Sequence, residues 1–211
     1  EILRCLVGSE MCIRDRAKAA GLYQVIGADI DDPYIAELKK LVLHQDCIDK
    51  VGGELKIVYT PLHGTGNIPV RRVLKELGFK NVYVVPEQEL PDGDFPTVSY
   101  PNPEAAEAFE LGLALGKKVD ADLILATDPD ADRVGIAMKC PDGSYELVSG
   151  NEVGVLLLDY ICAGRIEKGT MPEKAVAVKS IVSTPLADAV AEHYGVELRS
   201  CLLYTSDAAD E

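Results

Sequence analysis

Asp122-Leu123-Ile124-Leu125-Ala126-Thr127-Asp128-Pro129-Asp130-Ala131-Asp132-Arg133 runs from an apolar stretch into three carboxylates at alternate positions and closes on an arginine. The apolar stretch reads as a buried strand, and the acids follow at its carboxyl end. Like charges so close repel by roughly 1 to 4 kcal/mol per pair at the dielectrics of a loop. A hard divalent cation bound through oxygen offsets that repulsion, and alternate spacing along one extended loop lets three side chains turn toward a single point. Magnesium (Mg2+) fits best, because it keeps positions open for water or a substrate phosphate. Asp128, Asp130 and Asp132 are therefore the candidate metal ligands, and Arg133 is free to hold phosphate oxygens with its planar fork. A solvated acidic turn explains neither the buried strand nor the adjacent arginine. A calcium loop of the EF-hand type needs glycine at its sixth position, where this chain has Arg133.

Working outward, Leu55–Thr60 reads as a strand, Pro61-Leu62-His63-Gly64-Thr65-Gly66-Asn67 as a tight turn, and Val70 to Leu77 as a helix closed by Gly78. Val82–Pro86 is a further strand, and Glu104–Gly116 an alanine-rich helix. Strand–helix alternation predicts an α/β fold: a three-layer α/β/α sandwich on a mixed, mostly parallel sheet, with ligands at the carboxyl ends of the strands. Beyond the acidic loop, Val134–Met138 and Tyr145–Val148 flank Pro141-Asp142-Gly143-Ser144 as a hairpin that adds an antiparallel edge. Asn151 is expected to cap a helix reaching Cys162, Val176–Val178 to form a strand, and Thr184 to cap a helix through Tyr194. These begin an incomplete second α/β domain. Asp31–Leu43 reads as a surface helix.

The chain has 211 residues, 47% of them apolar, and a formal charge of −14. That charge argues against nucleic-acid or anionic-membrane partners, which demand a basic face, but leaves small anionic substrates open. With no apolar run of membrane-spanning length and no leader pattern, a cytoplasmic location is expected. Cysteines 5, 12, 47, 140, 162 and 201 show no zinc or redox spacing. His63 reads as a turn or packing residue rather than a proton shuttle, and the Gly64-Thr65-Gly66 turn lacks the spacing of a phosphate-cradling loop. His44 and His193 fall in predicted helices with no ligand partners at useful spacing.

The end stretches Cys5–Arg16 and Cys201–Glu211 resemble translated sequencing-adapter DNA, each matching one strand of the same transposon end. The expected organisation is an extension over 1–16, a helical connector over 17–49, an α/β/α domain with the metal loop over 50–148, the start of a second such domain over 149–199, and an extension over 200–211.

Over Ala17 to Arg199 the chain resembles the alpha-D-phosphohexomutases, the phosphoglucomutase and phosphomannomutase family. The resemblance rests on Asp128-Pro129-Asp130-Ala131-Asp132-Arg133, Thr60-Pro61-Leu62-His63-Gly64-Thr65-Gly66, Tyr100-Pro101-Asn102-Pro103-Glu104 and Gly150-Asn151-Glu152, in the order they hold in that family's second and third domains. It implies an isomerase acting as an intramolecular phosphotransferase, which interconverts sugar 1-phosphates and 6-phosphates through an enzyme phosphoserine and a bisphosphorylated intermediate. Magnesium on the acidic loop would face that phosphoserine, Arg133 would contact a phosphoryl oxygen, and Lys179 lies where relatives supply a lysine to substrate phosphate. Phosphoglucomutase is the nearest branch, with phosphomannomutase and phosphopentomutase as alternatives. No segment matches the phosphoserine loop, the sugar-recognition loop or the fourth domain's phosphate loop, so this chain alone is expected to be inactive without the family's first and fourth domains. A magnesium-dependent phosphatase also places Asp-x-Asp after a strand, but leaves the third acid and Arg133 unexplained. A non-catalytic sugar-phosphate or metal-binding module is the remaining class.

Overall fold

After its leading lysine, Lys56–Thr60 (β1) carries uncharged side chains on both faces, all of them buried, which places it inside a sheet with a layer on either side. The structure, a computed structural model, describes residue 13 and residues 15–202. The expected end extensions lie largely outside those residues.

Two compact units divide the chain after Leu41. The first contains α1 (Ala28–Lys39), with Asp29 and Asp31 in its first turn, Lys39 in its last, and Ile35 buried. It starts before the expected Asp31 and stops before Leu43, because Lys40 and Leu41 close onto Glu37 and Leu38 with tightened three-residue hydrogen bonds.

In the second unit, α2 (Gln45–Val51) precedes β1, and α3 (Asn67–Leu77) leads to β2 (Asn81–Val84). Gly78 ends α3 with φ +115, a left-handed cap open to glycine without strain. After the irregular stretch to Pro103 come α4 (Glu110–Val119), β3 (Leu123–Thr127), β4 (Val134–Lys139) and β5 (Tyr145–Val148). The five strands are ordered β2-β1-β3-β4-β5. β1 is parallel to β2 and β3, whereas β4 and β5 add the expected antiparallel edge. The core under this sheet is built from Val58, Leu62, Val85, Phe109, Ile124 and Ala126 with smaller neighbours.

The helix expected over Glu104–Gly116 is two pieces. Ala106–Phe109 makes one tight turn before α4 begins at Glu110. The Glu107 carboxylate accepts hydrogen bonds from the Ser99 N–H and hydroxyl at 2.8 and 2.6 Å, and Phe109 is wholly buried, so the segment is tied back before the regular helix can start.

The remainder holds α5 (Gly150–Glu167), β6 (Val176–Ser180), α6 (Leu186–Tyr194) and β7 (Glu197–Cys201). β6 and β7 form a separate two-stranded parallel sheet joined by α6, with a small core of Cys162, Ala191 and Val196. Ser149, not Asn151, caps α5: its hydroxyl accepts from the Glu152 N–H while the Glu152 carboxylate accepts from the Ser149 N–H at 2.8 Å. Asn151 is engaged elsewhere, accepting the Thr184 N–H at 2.9 Å. β7 extends through Ser200 and Cys201, which pair with Lys179 and Ser180. That pairing uses backbone atoms. No helix among the described residues is long and apolar enough to cross a membrane.

Candidate metal centre

The chain leaves β1 toward β2 on one side and leaves β3 toward β4 on the other, so the carboxyl ends of β1 and β3 bound the point where the sheet's connections diverge. Crevices open at such points. The loop after β1 and the acidic loop after β3 meet there.

The acidic loop is not extended. Alternate residues of an extended chain stand about 7 Å apart along its axis, whereas ligand atoms of Asp128, Asp130 and Asp132 all lie within 4.8 Å of one another. The difference is a turn: the Ala131 N–H closes onto the Asp128 carbonyl at 3.0 Å, and Ala131 takes a left-handed φ of +63. The loop after β1 holds that turn from the side. The Thr65 N–H and hydroxyl both donate to the Pro129 carbonyl, at 2.8 and 3.1 Å. Contact is so close that a Cβ on Gly64 would sit 2.4 Å from the Pro129 Cα, and one on Gly66 would sit 2.6 Å from the Tyr59 hydroxyl. Beneath, the buried Tyr59 hydroxyl and Thr127 Oγ1 share a 2.9 Å hydrogen bond.

Asp128 is buried, while Asp130 and Asp132 are exposed, so the cluster has a protein side and an open side. Asp128 Oδ1 accepts the Arg133 N–H at 3.1 Å, and the Arg133 Nε lies 3.7 Å from both Asp128 Oδ2 and Asp132 Oδ1. Burial raises the Asp128 carboxyl above the usual aspartate range, opposed by the Arg133 N–H and reinforced by Asp132 and Asp130. An oxygen-only donor set with one face open suits a magnesium ion and excludes no ligand phosphate. Arg133, more than half exposed, borders that open side.

One residue beyond Arg133, at the start of β4, a cleft of about 610 Å³ begins, lined by Pro103, Glu104, Val134, Ser149, Asn151 and Ser183 among others. It brings Pro103 and Glu104 to one place with Gly150 and Asn151. Lys179 stands on β6, where its ammonium pairs with the Asp188 carboxylate and donates to the Thr184 carbonyl at 3.3 Å.

His63 is buried, with Nδ1 donating to the Leu90 carbonyl at 3.1 Å and Nε2 accepting from the Thr97 hydroxyl at 2.9 Å. Thr97 in turn accepts from the Gln88 amide, and Gln88 Oε1 accepts from the Thr60 hydroxyl. Each side chain of this relay from His63 to Thr60 is hydrogen-bonded, which makes His63 a packing residue that fixes the loop. Sequence reading missed the supporting roles of Tyr59, Thr65 and Thr127. Only the glycines flanking Thr65 signalled that something approaches there.

The fold agrees with comparison to known proteins. A phosphoglucomutase from Staphylococcus saprophyticus subsp. saprophyticus is 38% identical over 182 residues, covering 86% of this chain and 32% of that protein. A phosphoglucomutase from Staphylococcus aureus (strain MRSA252) is 35% identical over 173 residues, covering 82% of this chain and 30% of that protein. The chain thus spans about a third of the length of these relatives. The crystal structure of a phosphoglucomutase/phosphomannomutase family protein from Burkholderia thailandensis superposes with a TM-score of 0.57 at 21% identity, over 82% of this chain and 33% of that one, which supports the fold. The phosphoglucomutase/phosphomannomutase alpha/beta/alpha domain II family matches residues 32–143, more than half of the 211 residues, so the chain belongs to the phosphoglucomutase/phosphomannomutase family.

Proposed function

We propose that this chain is the metal-binding portion of a phosphohexomutase, with phosphoglucomutase the preferred activity of the longer protein. Asp128, Asp130 and Asp132 would hold magnesium, which when bound supplies Lewis-acid neutralisation of charge on a transferring phosphoryl group. Arg133 orients a phosphoryl oxygen: its guanidinium adjoins two of the three carboxylates, and more than half of its side chain is exposed. Thr65 and the glycines beside it keep the turn from relaxing when the metal leaves. The adjoining cleft has room for a sugar phosphate. Lys179 joins only after release from Asp188, so Asp188→Asn should free it for phosphate.

The observation that carries this reading is the convergence of three carboxylates on one point, beside an arginine and open to solvent on one side, at the diverging strand ends. Naming of the relatives favours glucose phosphates; mannose and pentose phosphates are the alternatives within the family. The chain by itself is proposed to turn over no substrate, and mutase activity above a blank would contradict that. Calorimetric titration of the chain with magnesium should show binding that Asp130→Ala abolishes. Binding that survives the substitution removes the metal assignment. In the longer protein, conversion of glucose 1-phosphate to the 6-phosphate is expected, and release of inorganic phosphate instead would favour a phosphatase.

A further inference from the structure

His44 and Cys47 bracket the start of α2, with His44 preceding the first turn and Cys47 within it. A position just before a helix and one three residues later lie on the same side of its first turn. Asp46 completes the group: a ring nitrogen of His44, a carboxylate oxygen of Asp46 and Cys47 Sγ all lie within 4.8 Å of one another. The Cys47 thiol already points at Asp46 Oδ2, 3.9 Å away. A fourth group arrives from far along the chain. Glu167, the last residue of α5, places Oε2 4.0 Å from His44 Nε2.

The imidazole is not a free surface group. Its side chain is only 20% exposed. Tyr160 meets the ring edge-on at a centroid distance of 5.4 Å. Gly164 leaves room for it, since a Cβ there would stand 2.9 Å from His44 Nε2 and 2.9 Å from Leu43 Cδ1. α5 therefore fixes the ring while Asp46, Cys47 and Glu167 stay exposed and able to adjust.

We propose that His44, Asp46, Cys47 and Glu167 form a second metal site, for a borderline-soft divalent cation of the zinc class. The donor set is nitrogen, sulfur and carboxylate oxygen, which separates it from the oxygen-only acidic loop: thiolate and imidazole select zinc or cobalt over magnesium. Glu167 serves either as the fourth ligand or as the carboxylate that orients the imidazole from behind. Lys50, whose ammonium lies 3.5 Å from Asp46 Oδ2, is the competing cation. With 74% of its side chain exposed it can swing into water. A bound ion would clip α2, which leads into the five-stranded sheet, to the end of α5, which belongs with the two-stranded one.

Titrating the reduced chain with Co2+ tests the site, because thiolate ligation gives a near-ultraviolet charge-transfer band that carboxylates cannot produce. The expected result is a band saturating near one equivalent, absent in Cys47→Ser, unchanged in Cys140→Ser, and requiring roughly tenfold more cobalt in Glu167→Gln. His44→Ala should weaken it by at least as much. Cys47 is exposed, so its loss removes the ligand without opening the core. No band at millimolar cobalt, or a band that persists in Cys47→Ser, overturns the proposal. Because Asp130→Ala should leave the band intact while abolishing magnesium binding, failure of one site is distinguishable from failure of the other.

Discussion

β3 and β6 each deliver to their carboxyl ends residues that sequence marked for phosphate chemistry, but the two regions differ in how firmly they hold them. β3 runs through the middle of a five-stranded sheet, and its loop is clamped by Thr65, Gly64 and Gly66 from the neighbouring strand's turn. β6 has one strand partner, leaves Val176 and Val178 exposed, and ends at a lysine whose partner is Asp188 on the following helix. A loop acquires a defined geometry when adjacent elements pack on both sides of it. Where they do not, side chains satisfy one another locally.

Core truncation should separate the regions most. Ile124→Ala in β3, at a fully buried position, is expected to cost about 2–5 kcal/mol in denaturant unfolding. Val178→Ala in β6, which is 65% exposed, should change stability by about 0.5 kcal/mol or less. Equal losses would break the comparison.

Glycine substitutions sharpen it. Gly64→Ala drives a methyl into the Pro129 backbone and should cost about 2–3 kcal/mol and abolish magnesium binding in the same titration. Gly154→Ala, in a helix with nothing within 4 Å of the new methyl, should instead stabilise by up to about 1 kcal/mol.

Beneath the acidic loop, Tyr59→Phe leaves Thr127 Oγ1 without its buried partner and should cost about 1–2 kcal/mol. Magnesium binding should weaken but persist.

The pH dependence is smaller and has a defined sign. Because burial raises the Asp128 carboxyl, a proton competes with the metal at higher pH than for an ordinary aspartate, so magnesium affinity should begin to fall earlier on acidification. In metal-free protein the same group keeps its proton to a higher pH in the folded state than in the unfolded one. Its stabilising contribution is present below the unfolded value and is lost as pH rises through the folded one. Unfolding midpoints measured against pH, with and without magnesium, check both slopes. Asp188→Asn should also be a small change, under about 1 kcal/mol, since Asp188 is more than half exposed.

Much of this was legible in sequence. Apolar runs ending in acids or glycines marked β1 and β3, and the Pro141–Ser144 turn marked the antiparallel edge, because alternation and turn chemistry are local. The helix after Pro103 was misplaced because Ser99 and Phe109 act across a loop. An asparagine before an apolar run has the pattern of a helix cap, and only its partner, the Thr184 N–H, shows that Asn151 is engaged elsewhere. His44 was set aside because its partners are spread over a helix start and a residue more than a hundred positions away.

By itself the sequence determined the α/β class, the family and the identity of the three carboxylates, since these rest on side-chain type and short-range spacing. Only the tertiary structure decided that the carboxylates face one point through a left-handed Ala131, that Thr65 braces them, and that Lys179 is held by Asp188. The reason is that a ligand set is a matter of distances of a few ångströms between atoms, and such distances are set by backbone reversals and by packing between segments remote in the chain.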